Sequence, residues 1–170
     1  MSRPLTYYFG KKHSICSRFT RVHALVMNKY AWNILEKYLD TDKGCNEVNS
    51  FTEYGHTPLM LAAMNMGNLY NPKDKHNKYE VVNLLLFNGA NVDALDPEGN
   101  SILMLAVKYN TFPNESELLE FVRYLIGQYA DTFVTNFYGR TLIDICYARG
   151  YEKVMKYVLH YNKLLSRIKS

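Results

Sequence analysis

Apolar residues fall in short ladders separated by polar turns along most of this chain. Val81, Val82, Leu84, Leu85 and Leu86 cover a wide helical face, and Ile102, Leu103, Met104, Leu105, Ala106 and Val107 form an unbroken run. Phe121, Val122, Leu125 and Ile126 repeat the first pattern, while Leu142, Ile143, Ile145 and Cys146 repeat the second. Nearer the N-terminus, Val22 to Val26 and Trp32 to Leu39 carry two further helical patterns. The spacing therefore predicts short helices arranged in pairs. Asp96-Pro97-Glu98-Gly99 supplies turn chemistry between one pair and the next.

The pairs recur in register. Tyr54-Gly55-His56-Thr57-Pro58-Leu59-Met60-Leu61-Ala62-Ala63 aligns with Glu98-Gly99-Asn100-Ser101-Ile102-Leu103-Met104-Leu105-Ala106-Val107, and then with a third copy beginning Tyr138-Gly139-Arg140-Thr141. Glu80 to Asp93, with its Gly89-Ala90-Asn91 ending, aligns with Glu120 to Phe133. The marker glycines Gly55, Gly99 and Gly139 lie 99 − 55 = 44 and 139 − 99 = 40 residues apart. In the last copy Gly139 precedes Lys153 by 14 residues, against 25 from Gly55 to Glu80 and 21 from Gly99 to Glu120. Removing the excesses of 11 and 7 restores a period of about 33.

With that period, Thr57-Pro58-Leu59-Met60-Leu61-Ala62-Ala63 followed by Glu80 to Ala94 closely resembles the ankyrin repeat. The resemblance spans roughly residues 19–162 and is strongest over 52–160. It implies an all-α ankyrin-repeat solenoid of helix-turn-helix pairs joined by β-hairpin-like fingers. About four repeats are expected, near 19–51, 52–95, 96–135 and 136–162, after an N-terminal arm or cap over 1–18 and before a basic tail over 163–170. Met60, Met104 and Asp144 stand where the family commonly has histidine, a departure from its pattern. The first copy is degenerate, with Asn46 to Ser50 matching the lead into a finger, and end repeats are expected to be atypical.

Elementary chemistry agrees. Thr57 suits an N-cap and Pro58 the first helical position, where its missing N–H costs nothing. Asn77 with Glu80, and Asn114 with Glu117, read as capping boxes opening second helices. Gly89 suits a left-handed helix end. The extra residues at 66–78 and 109–114 both interrupt the turn within a pair, so they are expected together on the edge opposite the fingers. Leu59, Ala62, Leu85, Leu103, Ala106, Val122, Leu125, Ile143 and Val158 are the expected core.

At 170 residues, 48% hydrophobic and 21% charged, the chain fits one globular domain. No apolar stretch approaches a membrane span, and no apolar region precedes Lys11 and Lys12 as a signal peptide requires. Cys16, Cys45 and Cys146 are odd in number and widely spaced, which argues against a disulfide framework or zinc site and for reduced thiols in cytoplasm or nucleus. Neither a phosphate-binding glycine loop nor a nucleophile–base signature is present, so no enzyme, cofactor or metal is expected. Cys16 near His13 and His23 reads as chance proximity, His76 with Asp74 as a solvated loop, and Cys146 as a buried, inert thiol.

The resemblance implies a protein–protein interaction module acting as a monomer through its finger tips and first-helix ends, with no membrane role. Carried over by position, the partner-binding residues are Tyr54, His56, Met64, Asn65, Glu98, Asn100, Lys108, Tyr109, Phe137, Tyr138, Arg140 and Arg149. Aromatic and arginine side chains are the types that dominate binding hot spots. The net charge of +4 leaves one rival, a nucleic-acid or anionic-surface binder using the basic ends and residues 73–78. The bias toward Tyr, Asn and Lys, with methionine after Thr57-Pro58-Leu59, resembles ankyrin proteins of large DNA viruses or intracellular bacteria, which would place the chain in host cytoplasm as a host-interaction factor.

Overall fold

The structure is a computed structural model that describes residues 19–28, 30–69 and 79–168. Among these the chain forms nine helices: α1 (Arg21–Val26), α2 (Trp32–Leu39), α3 (Asp42–Glu47), α4 (Pro58–Leu69), α5 (Glu80–Phe87), α6 (Ile102–Lys108), α7 (Glu115–Gly127), α8 (Leu142–Arg149) and α9 (Glu152–Ile168). Helices α1, α4, α6 and α8 pack one on the next as an inner row. Helices α2, α5, α7 and α9 form the outer row, each against its inner partner. The fold is an all-α repeat solenoid. Its fingers are turns: among the described residues the only β-bridge outside a strand is Thr135 with Thr141.

Helix starts follow the expected capping. The hydroxyl of Thr57 accepts from the Met60 N–H at 3.2 Å, and Asn114 Oδ1 accepts from the Glu117 N–H at 3.0 Å. Each satisfies one of the first-turn donors that a helix leaves unpaired. The Asn77 cap falls outside the described residues, and α5 opens at Tyr79.

Of the expected core, Leu59, Ala62, Leu85, Leu103, Ala106, Val122, Leu125 and Val158 are all buried. Ile143 is the exception and is only half-buried, because α8 has an inner neighbour on one side alone. Ten of the twelve residues of α4 are buried. A helix apolar all round belongs at the centre of a stack, and α4 lies between α1, α5 and α6.

Three features differ from expectation or extend it. The first copy contains a third helix, α3, over part of the segment read as a finger lead; the Thr41 hydroxyl starts it by accepting from the Gly44 N–H at 3.1 Å. The first insertion begins as a continuation of α4 to Leu69, and its residues 70–78 lie outside the described part. The second insertion meets this extension, with the Gly67 N–H donating to the Thr111 hydroxyl at 3.0 Å, at the end of α4 away from the fingers. Finally, α9 continues through Leu164 and Leu165 to Ile168, so the basic residues Lys163 and Arg167 lie on this helix. Glu115 anchors the start of α9 from the preceding copy, its Oε1 accepting from the Lys153 and Val154 N–H groups at 2.5 and 3.1 Å.

Candidate interaction surface

Each finger is built around one buried polar residue. Asp96 Oδ1 accepts from the Glu98 and Asn100 N–H groups, both at 2.8 Å. Asn136 Oδ1 does the same for Tyr138 and Arg140, both at 3.0 Å. In the first finger the Thr52 hydroxyl accepts from the His56 N–H at 3.1 Å. Short side chains that bond their own backbone two and four residues on hold a turn in one shape.

The fingers then lock onto one another. The Phe137 N–H donates to the Glu98 carbonyl at 3.0 Å, and Asn136 Nδ2 donates to Asn100 Oδ1 at 2.8 Å. Pro97 lies over Gly55 and Phe137 over Gly99, so closely that a Cβ on either glycine would come within 2.2 and 2.9 Å of the ring. This repeating contact makes a row of fingers with fixed spacing.

The row presents a polar clasp and an aromatic tip. Lys108 Nζ bonds Glu98 Oε2 at 2.7 Å and lies 5.4 Å from the centre of the Tyr109 ring, tying the finger to the end of α6. The bond to Lys108 holds the Glu98 carboxyl below its usual range, followed by the bond from Asn100. Burial pulls Lys108 down, but its bond to Glu98 and the neighbouring charges outweigh this and raise it. Burial lowers His56, against the pull of Asp96 and Glu98. Phe137 and Tyr138 are 76% and 69% exposed, and Arg140 is exposed beside them. Tyr54 and Tyr109 are half-buried.

A family model of three ankyrin repeats matches residues 74–167. That is more than half of the chain. The chain belongs to the ankyrin repeat family. No curated protein matches it. Ankyrin repeats are generally protein–protein interaction modules, typically without enzymatic activity.

Three residues expected on the ankyrin partner surface are elsewhere. Met64 is 2% exposed on α4, which is flanked by α1, α5 and α6. Asn65 is buried on the same helix and accepts from Asn68 Nδ2 at 2.7 Å. Asn100 is fully buried: it donates to Asp96 Oδ2 at 2.8 Å while accepting from Asn136, so it joins two fingers. Arg149 is exposed, but its guanidinium bonds the Lys108 carbonyl and so closes the end of α6.

The structure also exposes side chains that the sequence reading passed over. Phe51 and Leu95 are 51% and 42% exposed and occupy the same repeat position, one residue before Thr52 and Asp96. The alignment of fingers already held that signal. Tyr147, whose departure from the small residues Ala63 and Val107 is plain in the sequence, is 79% exposed.

Among the described residues no helix is long and apolar enough to cross a membrane, and no group of His, Cys, Asp or Glu is arranged to hold a metal ion. Burial pushes the Cys146 thiol up to about 12, so it stays protonated and inert as expected. Cys16, His13, His76 and the basic segment 73–78 lie outside the described residues.

Proposed function

We propose that this ankyrin stack binds a protein partner across its finger row and the ends of its inner helices. The anchors are Phe137, Tyr138 and Arg140, flanked by Tyr54, His56, Glu98, Lys108, Tyr109 and Arg149. What supports the reading is the exposure of Phe137 and Tyr138 on a finger pinned by Asn136 and by its neighbour. Tyr138 is not required by a cap, a turn or the core, and Phe137, whose ring covers Gly99, still keeps most of its surface in water. A preformed surface carrying large aromatic side chains loses little entropy on binding. The free thiols of Cys45 and Cys146 suit a reducing compartment, cytoplasm or nucleus. In a virus or intracellular bacterium the partner would be a host protein.

The test is a paired substitution, Tyr138→Ala with Arg140→Ala. Both residues are exposed, so stability is expected to change by no more than ~0.5 kcal/mol. Affinity for a partner captured from lysate by the wild-type chain is expected to fall by ~2 kcal/mol or more. Charge reversal at Lys73, Lys75 and Lys78 is expected to leave binding unchanged. The opposite pattern, with steep salt dependence, would favour an anionic partner held by the basic segments.

A further inference from the structure

Because the helix pairs repeat, one position can be followed from copy to copy, and five positions change surroundings in the last copy. Leu59 and Leu103 are 1% and 0% exposed, whereas Ile143 is only half-buried. Met60 and Met104 are buried, whereas Asp144 is exposed. Ala63 and Val107 are buried, whereas Tyr147 is 79% exposed. On the outer helices, Val82 and Val122 are fully buried and Met155 is partly open. Leu86 is half-buried and Ile126 buried, whereas Leu159 is 47% exposed. These five side chains mark one face of α8 and α9, the face on which a following helix pair would pack.

Four of the five are apolar. An end repeat needs a polar outer face to remain in water, and an internal repeat needs a small residue where Ala63 and Val107 sit. Tyr147 meets neither requirement. It offers a large, stiff ring with a polar edge, the kind of side chain that anchors an interface.

The rim of this face is basic. Lys156, Lys163 and Arg167 follow at i, i+7 and i+11 along α9 and are all exposed, with Lys156 also bonded to Glu152 Oε2 at 3.2 Å. The Asp144 carboxylate is taken up by the Thr141 N–H and hydroxyl, both at 2.7 Å. Two copies of the chain meeting through this face would bring these cations together, which disfavours self-association.

From the exposed apolar positions, the continuity with the repeat-stacking interface and the basic rim, we infer that Ile143, Tyr147, Met155 and Leu159 seat an acidic amphipathic helix of a protein partner. The helix lies where a following inner helix would pack, and its acidic flanks meet the α9 cations. This surface is separate from the finger row.

The experiment titrates wild-type chain into a labelled, stapled amphipathic helix with a leucine stripe and glutamate flanks, read by fluorescence anisotropy. A matching helix with lysine flanks is the control. The glutamate helix is expected to bind, and to bind less tightly as salt rises. Tyr147→Glu is expected to weaken it by about tenfold or more, the effect of losing one anchor ring. Leu159→Lys should act in the same direction, and Tyr54→Ala with Tyr138→Ala should leave this binding unchanged. Circular dichroism and Tm check that each variant folds, with Tyr147→Ser in reserve if Tyr147→Glu does not. Equal binding of the two helices, binding indifferent to Tyr147→Glu or Tyr147→Ser, or no binding of either helix overturns the inference. So does a wild-type dimer in sedimentation velocity that Tyr147→Glu dissolves, which would make a second copy the occupant.

Discussion

Helices α1 and α8 lie at the two ends of the inner row and open with the same device. Each starts at a threonine, Thr20 or Thr141, whose backbone N–H donates to the side chain three residues on. At α8 that side chain is the exposed Asp144, which accepts from the Thr141 N–H at 2.7 Å. At α1 it is His23, fully buried, whose Nδ1 accepts from the Thr20 N–H at 3.1 Å and lies 2.9 Å from the Thr20 hydroxyl. One cap is a carboxylate in water and the other an imidazole inside the protein. The same local geometry therefore needs the deprotonated side chain at both ends, which leaves Asp144 charged and His23 neutral. Local sequence sets the shape of a cap, and the neighbours decide its chemistry.

The contrast between inner and end copies should be sharpest in the core. Leu103 is fully buried between α4 and α8, while Ile143 at the same position in the last copy is half-buried. Leu103→Ala is expected to cost ~2–5 kcal/mol, the range for a leucine whose cavity cannot collapse. Ile143→Ala should cost less, because part of its surface stays in water in the folded chain. Urea unfolding of both variants measures this difference. Equal losses would mean that the end face is covered in solution.

The caps give the next prediction. Burial lowers the His23 pKa from 6.5, partly offset by the nearby His56 and Ser50 backbone and by Glu47 on α3, with the His56 ring adding to the shift. The bond from the Thr141 N–H, then the one from its hydroxyl, lowers the Asp144 pKa from 3.8. Both groups bind fewer protons when folded, so each stabilises above its unfolded pKa and loses that contribution as pH falls toward its folded pKa. For His23 the loss begins below about pH 6.5, and for Asp144 only below about pH 3.8. Protonation would also place a hydrogen on Nδ1, facing the Thr20 N–H that it now accepts from. Between pH 7.5 and 5.5 the wild-type chain is therefore expected to lose stability through its N-terminal end. Glutamine in a capping box accepts the same bond without titrating, so His23→Gln should flatten the slope, leaving the half-buried His56, whose pKa burial also lowers, as the remaining histidine contribution. Identical slopes for the two proteins would remove His23 from the account.

The same contrast explains which parts of the structure could be read from the chain. Helix pairs, N-caps at Thr57 and Asn114, and eight of nine expected core residues follow from local periodicity and capping chemistry, which the sequence carries openly. Burial across copies does not. Met64 was expected at the surface from its repeat position, but an apolar helix flanked on three sides left it no way out. Asn100 looked like a finger-tip side chain until the third finger reached across to it with Asn136. His23 gave no hint in sequence of being a cap, because its role needs Thr20, Phe19 and the folded first finger together. Phe51 and Leu95 were legible in principle, since the finger alignment puts them at one position.

The smallest effect expected concerns two helix ends that share one backbone and differ in one residue. After α5, Gly89 has φ +83°, and the Ala90 N–H reaches back to the Leu85 carbonyl at 2.9 Å. After α7, Tyr129 has φ +68°, and the Ala130 N–H reaches the Leu125 carbonyl at 3.1 Å. These are the same left-handed cap, favoured by glycine because a Cβ crowds the following carbonyl. Tyr129 is 89% exposed, so its ring gains little packing in return. Tyr129→Gly is expected to stabilise the chain by up to ~1 kcal/mol, the strain relieved less the added freedom of glycine when unfolded. Gly89→Ala should destabilise it by a similar ~1 kcal/mol. Both are read as shifts in the urea midpoint at constant slope. Should Tyr129→Gly instead destabilise, the tyrosine ring must be packed against something in solution, and the outer edge of α7 would join the surfaces that engage a neighbour.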